Sequence, residues 1–121
     1  MNTLLIALIS IVLSVAAQFS LKTGMSHPEI KSLLGQPFMP TTLLTILTNR
    51  FVAGGFFLYG LGAAVWLTVL ARWDVSKAYP LVGLGFCMAA LAGLLAGEQV
   101  GLWRLLGIML ICTGVVLVGR S

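Results

Sequence analysis

An all-α integral membrane protein of four transmembrane helices is the fold class this sequence predicts, and three observations predict it. Hydrophobic residues make up 60 % of the 121 residues, against about 45–50 % in soluble domains. Charged residues make up 8 %, against about 25 % in an ordinary soluble chain. The charges also sit between long apolar runs rather than within them. Seven basic and three acidic side chains cannot cover the surface of a water-soluble globule of this size. A soluble enzyme, a secreted disulfide scaffold and a disordered tail are excluded. An open sheet edge cannot exist in hydrocarbon and four runs are too few to close a barrel, so the runs are helices.

The elements follow in chain order. Residues 1–21 carry no charge, and the first span is predicted over 3–24. Val15-Ala16-Ala17 before Gln18 has the look of a signal-peptidase site, but Met1-Asn2-Thr3 supplies no basic n-region. Polar residues then continue at helical spacing through the supposed cut, so the run is read as a retained span. The only substantial connection, 26–50, contains Pro28, Pro37 and Pro40, which forbid one continuous helix. After Pro40, the apolar-rich stretch to Thr48 has good local helicity. Fused to the second span it would make a helix of about 46 Å, against a hydrocarbon core of about 30 Å. A short helix lying at the membrane interface is therefore preferred to one long tilted span. The second span is predicted over 51–71 and the third over 77–97, with Pro80 tolerated in its first turn. The fourth, 101–119, is broken only by Arg104, whose stem can snorkel to the headgroups.

Charge count does not orient this chain. Arg72, Lys77 and Arg120 share a side with the N-terminus, while Lys22, Lys31, Arg50 and Arg104 lie on the other. So even a balance is compatible with insertion both ways or with a partner that fixes the orientation. The basic residues are scattered singly, and no cluster exists to track a nucleic-acid backbone. Cys87 and Cys112 lie inside apolar runs and are expected to be small buried thiols. One His and no Cys pair at ligand spacing leave no metal set.

The polar residues of the first span are Ser10, Ser14, Gln18 and Lys22, each four after the last. Steps of four drift by about 40°, so the set holds to one helix face. Ser10 and Ser14 can bond back to their own helix. The Gln18 amide cannot be satisfied so cheaply, so Gln18 and Lys22 are expected on a cavity face. The second span holds Gly54, Gly55, Gly60 and Gly62, which allow close helix approach, and Tyr59 and Trp66 one heptad apart. In the third, Gly83 and Gly85 weaken the helix and offer a hinge. In the fourth, Gly107 and Gly114 lie seven apart on one face, flat enough for another helix. Three acidic residues, one His and no phosphate-binding glycine loop leave no catalytic constellation and no cofactor site.

Together, Ser14-Val15-Ala16-Ala17-Gln18 with Lys22, Val65-Trp66-Leu67, Ala78-Tyr79-Pro80-Leu81 and Gly97-Glu98 resemble the drug/metabolite transporter superfamily. The likeness is strongest to its four-helix EamA-like members, especially the aminoarabinose-phosphoundecaprenol flippase subunits. Gly107–Gly114 also resembles the last helix of the small multidrug resistance family. The likeness covers nearly the whole chain except 26–50. It implies a small multidrug resistance-like bundle working as a dimer, homomeric and antiparallel or heteromeric with a sister subunit. The first three helices would form a substrate chamber, and the fourth, through Gly107 and Gly114, the dimer contact.

The function expected is a flippase that moves a polyprenyl-phosphate-linked sugar, or a similar anionic lipid, across a bacterial inner membrane. Lys22, Arg72 and Lys77 are the candidate phosphate contacts at the chamber mouths, and Gln18, Trp66 and Tyr79 the candidate lining. Ser14 and Glu98 complete the candidate substrate-binding set. Aligned through Lys22, Ser14 occupies the place of the membrane-embedded Glu with which the small multidrug resistance family exchanges protons for cations. A net-basic, carboxylate-free chamber is expected instead. The alternatives are a small-cation or drug exporter of that type and a non-transporting membrane scaffold subunit.

Overall fold

A computed structural model describes residues 2–121, and these are predominantly helical, with no strand among them. In chain order the elements are α1 (Thr3–Met25), α2 (Pro28–Leu34), α3 (Pro40–Thr48), α4 (Arg50–Arg72), α5 (Val75–Ala78), a 3-10 turn (Tyr79–Val82), α6 (Gly83–Leu95) and α7 (Leu102–Arg120). Four helical rods are long and apolar enough to cross a membrane: α1, α4, the continuous stretch Val75–Leu95, and α7. The chain is a multi-pass membrane protein.

Local chemistry sets the boundaries. The Asn2 side chain accepts from the Leu4 N–H and starts α1. His27 Nδ1 caps α2 in the same way, accepting from the Glu29 N–H, with Pro28 at the first helical position. The segment 26–50 thus holds two short helices, one more than the sequence predicts. Asn49 separates α3 from α4: its backbone is extended, and its Oδ1 accepts from the Phe51 and Val52 N–H groups. The over-long fused helix is therefore not formed. The third rod begins at Val75, two residues earlier than predicted, and Pro80 is absorbed in a 3-10 turn rather than an α-helical one. It ends at Leu95 because Gly97 takes φ 95°, the left-handed region that a side chain would resist. The Gly97 N–H then donates to Leu94 O and the Glu98 N–H to Gly93 O, satisfying carbonyls at the helix end.

α1 is the central element. α4 runs antiparallel along its whole length, α6 packs on it at a second face, and α7 packs on α6 and the 3-10 turn. The α1–α4 seam is built from small residues: Ala7 and Ala17 of α1 are fully buried, as are Val52 and Val69 of α4. A Cβ on Gly62 would sit 3.3 Å from both Leu13 Cβ and Ser10 O, and one on Gly55 would reach 3.1 Å from Ala17 O. Across this seam the Ser10 hydroxyl donates to Gly62 O at 2.7 Å, and the Ser20 hydroxyl to Phe51 O at 2.6 Å. Ser10 is thus satisfied by the neighbouring helix, not by its own. On the side that holds the N-terminus, Ile6, Ala7, Val69, Ala78, Leu81 and Val115 close the bundle.

Cys87 of α6 and Cys112 of α7 form a disulfide, which corrects the expectation of two separate thiols. Neither sits in a well-packed core, because α7 meets α6 at a single crossing. Gly83 makes that crossing close, its Cβ position lying 3.0 Å from Ile111 and Val115 methyl groups.

Candidate functional site: a neutral cleft between α1, α4 and α6

α4 and α6 both lie on α1 without a comparable approach to each other, and the space between them is a cleft of about 690 Å³. Its floor is the α1 face carrying Ser10, Ser14 and Gln18, with Ile11 and Val15 beside them. One wall is α4, through Tyr59, Gly62, Ala63 and Trp66. The other wall begins at Tyr79 and Val82 in the 3-10 turn and continues along α6 through Gly85, Phe86 and Ala89. Each set follows from helical spacing: steps of four on α1, a step of seven on α4, and an i, i+3, i+4, i+7 face on the third rod from Val82 to Ala89. Gly85 lets α6 approach α1, its Cβ position lying 3.1 Å from an Ile11 methyl group.

The polar groups of the cleft are few and specific. The Ser10 hydroxyl is committed to Gly62 O. The Gln18 side-chain amide donates to Tyr59 Oη at 3.3 Å, the one hydrogen bond between side chains across the cleft among the described residues. The Ser14 hydroxyl makes no hydrogen bond to any described residue, and Ser14 lines the cavity. Tyr59, Tyr79 and Phe86 are exposed, so the cleft is open on its α4–α6 side.

Four of the eight candidate substrate-binding residues therefore meet in one place: Ser14, Gln18, Trp66 and Tyr79. Lys22, Arg72, Lys77 and Glu98 do not line the cleft. Lys22 lies one turn beyond Gln18 and is exposed. Arg72 Nη1 donates to Thr3 Oγ1 at 3.4 Å, joining the end of α4 to the start of α1. The Lys77 ammonium stands 4.5 Å from the centroid of the Trp73 ring, two residues before Tyr79. Glu98 sits at the helix-ending turn after Leu95, where its carboxylate covers Gly93. The expected net-basic chamber is corrected accordingly. Neither a basic nor an acidic side chain lines it among the described residues, because every charge falls at a helix end.

Two lining residues are not legible as such in the sequence. Tyr59 pairs by heptad spacing with Trp66, but its hydrogen-bond partner Gln18 lies 41 residues away and shows only in the packed helix pair. Phe86 belongs to an apolar run with no distinguishing pattern. Gly107 and Gly114 face open space, and a Cβ added at either position would meet nothing within 4 Å.

The decisive comparison is with a probable 4-amino-4-deoxy-L-arabinose-phosphoundecaprenol flippase subunit ArnF of Erwinia tasmaniensis, 37 % identical over 95 % of this chain and 92 % of that one. The chain belongs to the aminoarabinose-phosphoundecaprenol flippase subunit family. A second ArnF relative, from Sodalis glossinidius, is 32 % identical over 93 % of this chain and 86 % of its own length. A probable ArnE subunit of Pseudomonas aeruginosa (strain UCBPP-PA14) is 44 % identical over 63 residues, 51 % of this chain. The chain spans only 55 % of that ArnE relative. No family model matches the chain, and no solved structure matches it. All three relatives are named as flippase subunits.

Proposed function

We propose that this chain is one subunit of a flippase that carries a polyprenyl-phosphate-linked sugar across a bacterial inner membrane. The observation that carries the reading is the neutral, polar-floored cleft in a chain whose relatives are named flippase subunits. A headgroup can enter it from the α4–α6 side while the polyprenyl tail stays in lipid. The cleft falls within the volume range of small-molecule sites, about 300–1,000 Å³. Lys77 and Arg72 at one end and Lys22 at the other are assigned to the phosphate at the two membrane faces. Gly83 and Gly85, next to the 3-10 turn, are the proposed pivot of the third rod.

The partner is proposed to be a sister subunit, held along α7. That helix buries only Val115 in the single chain, and its Gly107 and Gly114 face is open. Native mass spectrometry of the purified protein tests the substrate class. A polyprenyl phosphate is expected among the retained lipids, and Lys77→Glu is expected to lose it while still inserting. Normal retention by Lys77→Glu would remove the phosphate role.

The aromatic walls, Tyr59, Trp66, Tyr79 and Phe86, keep the export of organic cations as a second reading, since rings attract cations. Proton-coupled exchange, however, needs a group that ionises near neutral pH, and Ser14 cannot supply one. Proteoliposomes under a pH gradient are expected to show no proton-driven uptake of a quaternary ammonium compound. Robust uptake would replace the flippase reading.

A further inference from the structure

The cleft holds recognition chemistry that neither a phosphate nor a hydrocarbon tail would use. A phosphate is recognised by cations or converging N–H groups, and no Lys or Arg lines this cavity among the described residues. A hydrocarbon tail needs no polar floor. What remains along the floor and the α4 wall of the cleft is a short row of neutral hydrogen-bonding groups: the Ser14 hydroxyl, the Gln18 carboxamide and the Tyr59 hydroxyl. The inventory of this row is informative. Gln18 spends one N–H on Tyr59 Oη, which leaves its carbonyl oxygen and a second N–H available. Tyr59 accepts that bond, so its own O–H proton is free to donate. Ser14, one turn before Gln18 on the same face, adds a group able to do both. Donors and acceptors thus alternate along about one turn of helix, beside the Trp66 ring. A ring of hydroxyls presents the same alternation.

We propose that Gln18 and Tyr59 form the specificity-determining contact for the sugar, so that the cleft selects a glycosylated polyprenyl phosphate over the bare carrier. This rests on the flippase reading above and assigns the part of that substrate the cleft reads. The bare carrier has nothing to offer the row, so binding it leaves polar groups unsatisfied in an apolar setting, at a cost sufficient for about a tenfold preference. Gly62 makes the contact available. With no side chain there, α4 closes on α1 between Ser10 and Ser14, which brings Tyr59 across to Gln18.

The test is competition between undecaprenyl phosphate and 4-amino-4-deoxy-L-arabinosyl-phosphoundecaprenol for the full chain in lipid nanodiscs, together with any partner subunit that co-purifies, read by native mass spectrometry. The wild type is expected to prefer the glycosylated lipid about tenfold. Tyr59→Phe keeps the ring and removes only the hydroxyl, and Gln18→Leu removes the amide. Each is expected to bring the ratio close to one while total bound carrier stays the same. If Gln18→Leu does not fold, Tyr59→Phe decides alone. Two variants that keep the wild-type preference would overturn the inference. A wild type that binds both lipids equally would overturn it too, yet leave the flippase reading standing. A wild type that binds neither would take the flippase reading down with it.

Discussion

The α1–α4 pair and the α7 helix use the same small residue to opposite ends. Between α1 and α4, Gly24, Gly55 and Gly62 each lie where a side chain would strike the opposing helix. Two serine hydroxyls cross the same seam to backbone carbonyls. On α7, Gly107, Gly114 and Gly119 face open space, and the helix is tied to α6 by one crossing at Gly83 and by the Cys87–Cys112 bridge. In lipid the hydrophobic effect does not draw helices together, so close packing and interhelical hydrogen bonds must do it. The seam is where that packing is already spent within one chain. α7 is where it is still unspent. A glycine face therefore says that some backbone comes close, but not whether that backbone belongs to the same chain.

The sharpest way to break the contrast is to add bulk at the seam. Gly62→Leu would force Leu13 and the Ser10 carbonyl apart and disrupt the Ser10 bond, and is expected to destabilise the fold by about 3 kcal/mol or more. Thermal unfolding in detergent should show the loss, and an unchanged midpoint would mean the two helices are not so close.

Next in size is the α6–α7 tie. Reduction, or Cys112→Ser, is expected to weaken attachment of α7 by up to about 3 kcal/mol. Under non-reducing denaturation neither thiol should react with a maleimide. Immediate labelling of both would show that the bridge is not formed.

Ser10→Ala removes one interhelical bond from an otherwise intact seam and is expected to cost about 0.5–1.5 kcal/mol. The same unfolding assay distinguishes it from Ser14→Ala, which faces the cavity and should leave stability nearly unchanged. Equal losses in the two variants would erase the distinction between seam and cleft.

The smallest expected effect on the fold is the most informative about assembly. Gly107→Leu and Gly114→Leu meet nothing in the single chain and should leave its unfolding midpoint in place. Both should nevertheless reduce cross-linking between cysteines placed on the last helices of neighbouring subunits. A destabilised monomer with normal cross-linking would show that the α7 face is not the contact.

The sequence by itself determined the four spans, because apolar runs of spanning length separated by charges have one stable form in a bilayer. It also determined that Ser14 and Gln18 share a face, and that Tyr59 and Trp66 share another, since helical periodicity is a local property. The break at Asn49 follows from a side chain capping its own neighbours, yet in the sequence it competes with a long fused helix. Tertiary structure alone decided which faces meet. It put Ser10 on a carbonyl of α4, Gln18 on Tyr59, and Cys87 on Cys112, pairs separated by 52, 41 and 25 residues. It likewise gathered Ser14, Gln18, Trp66 and Tyr79 around one cleft that no Lys, Arg, Asp or Glu lines among the described residues. The physical reason is common to these cases. A helix fixes the angle between its own side chains, but the rotation of one helix against the next is set by packing that no stretch of sequence carries alone.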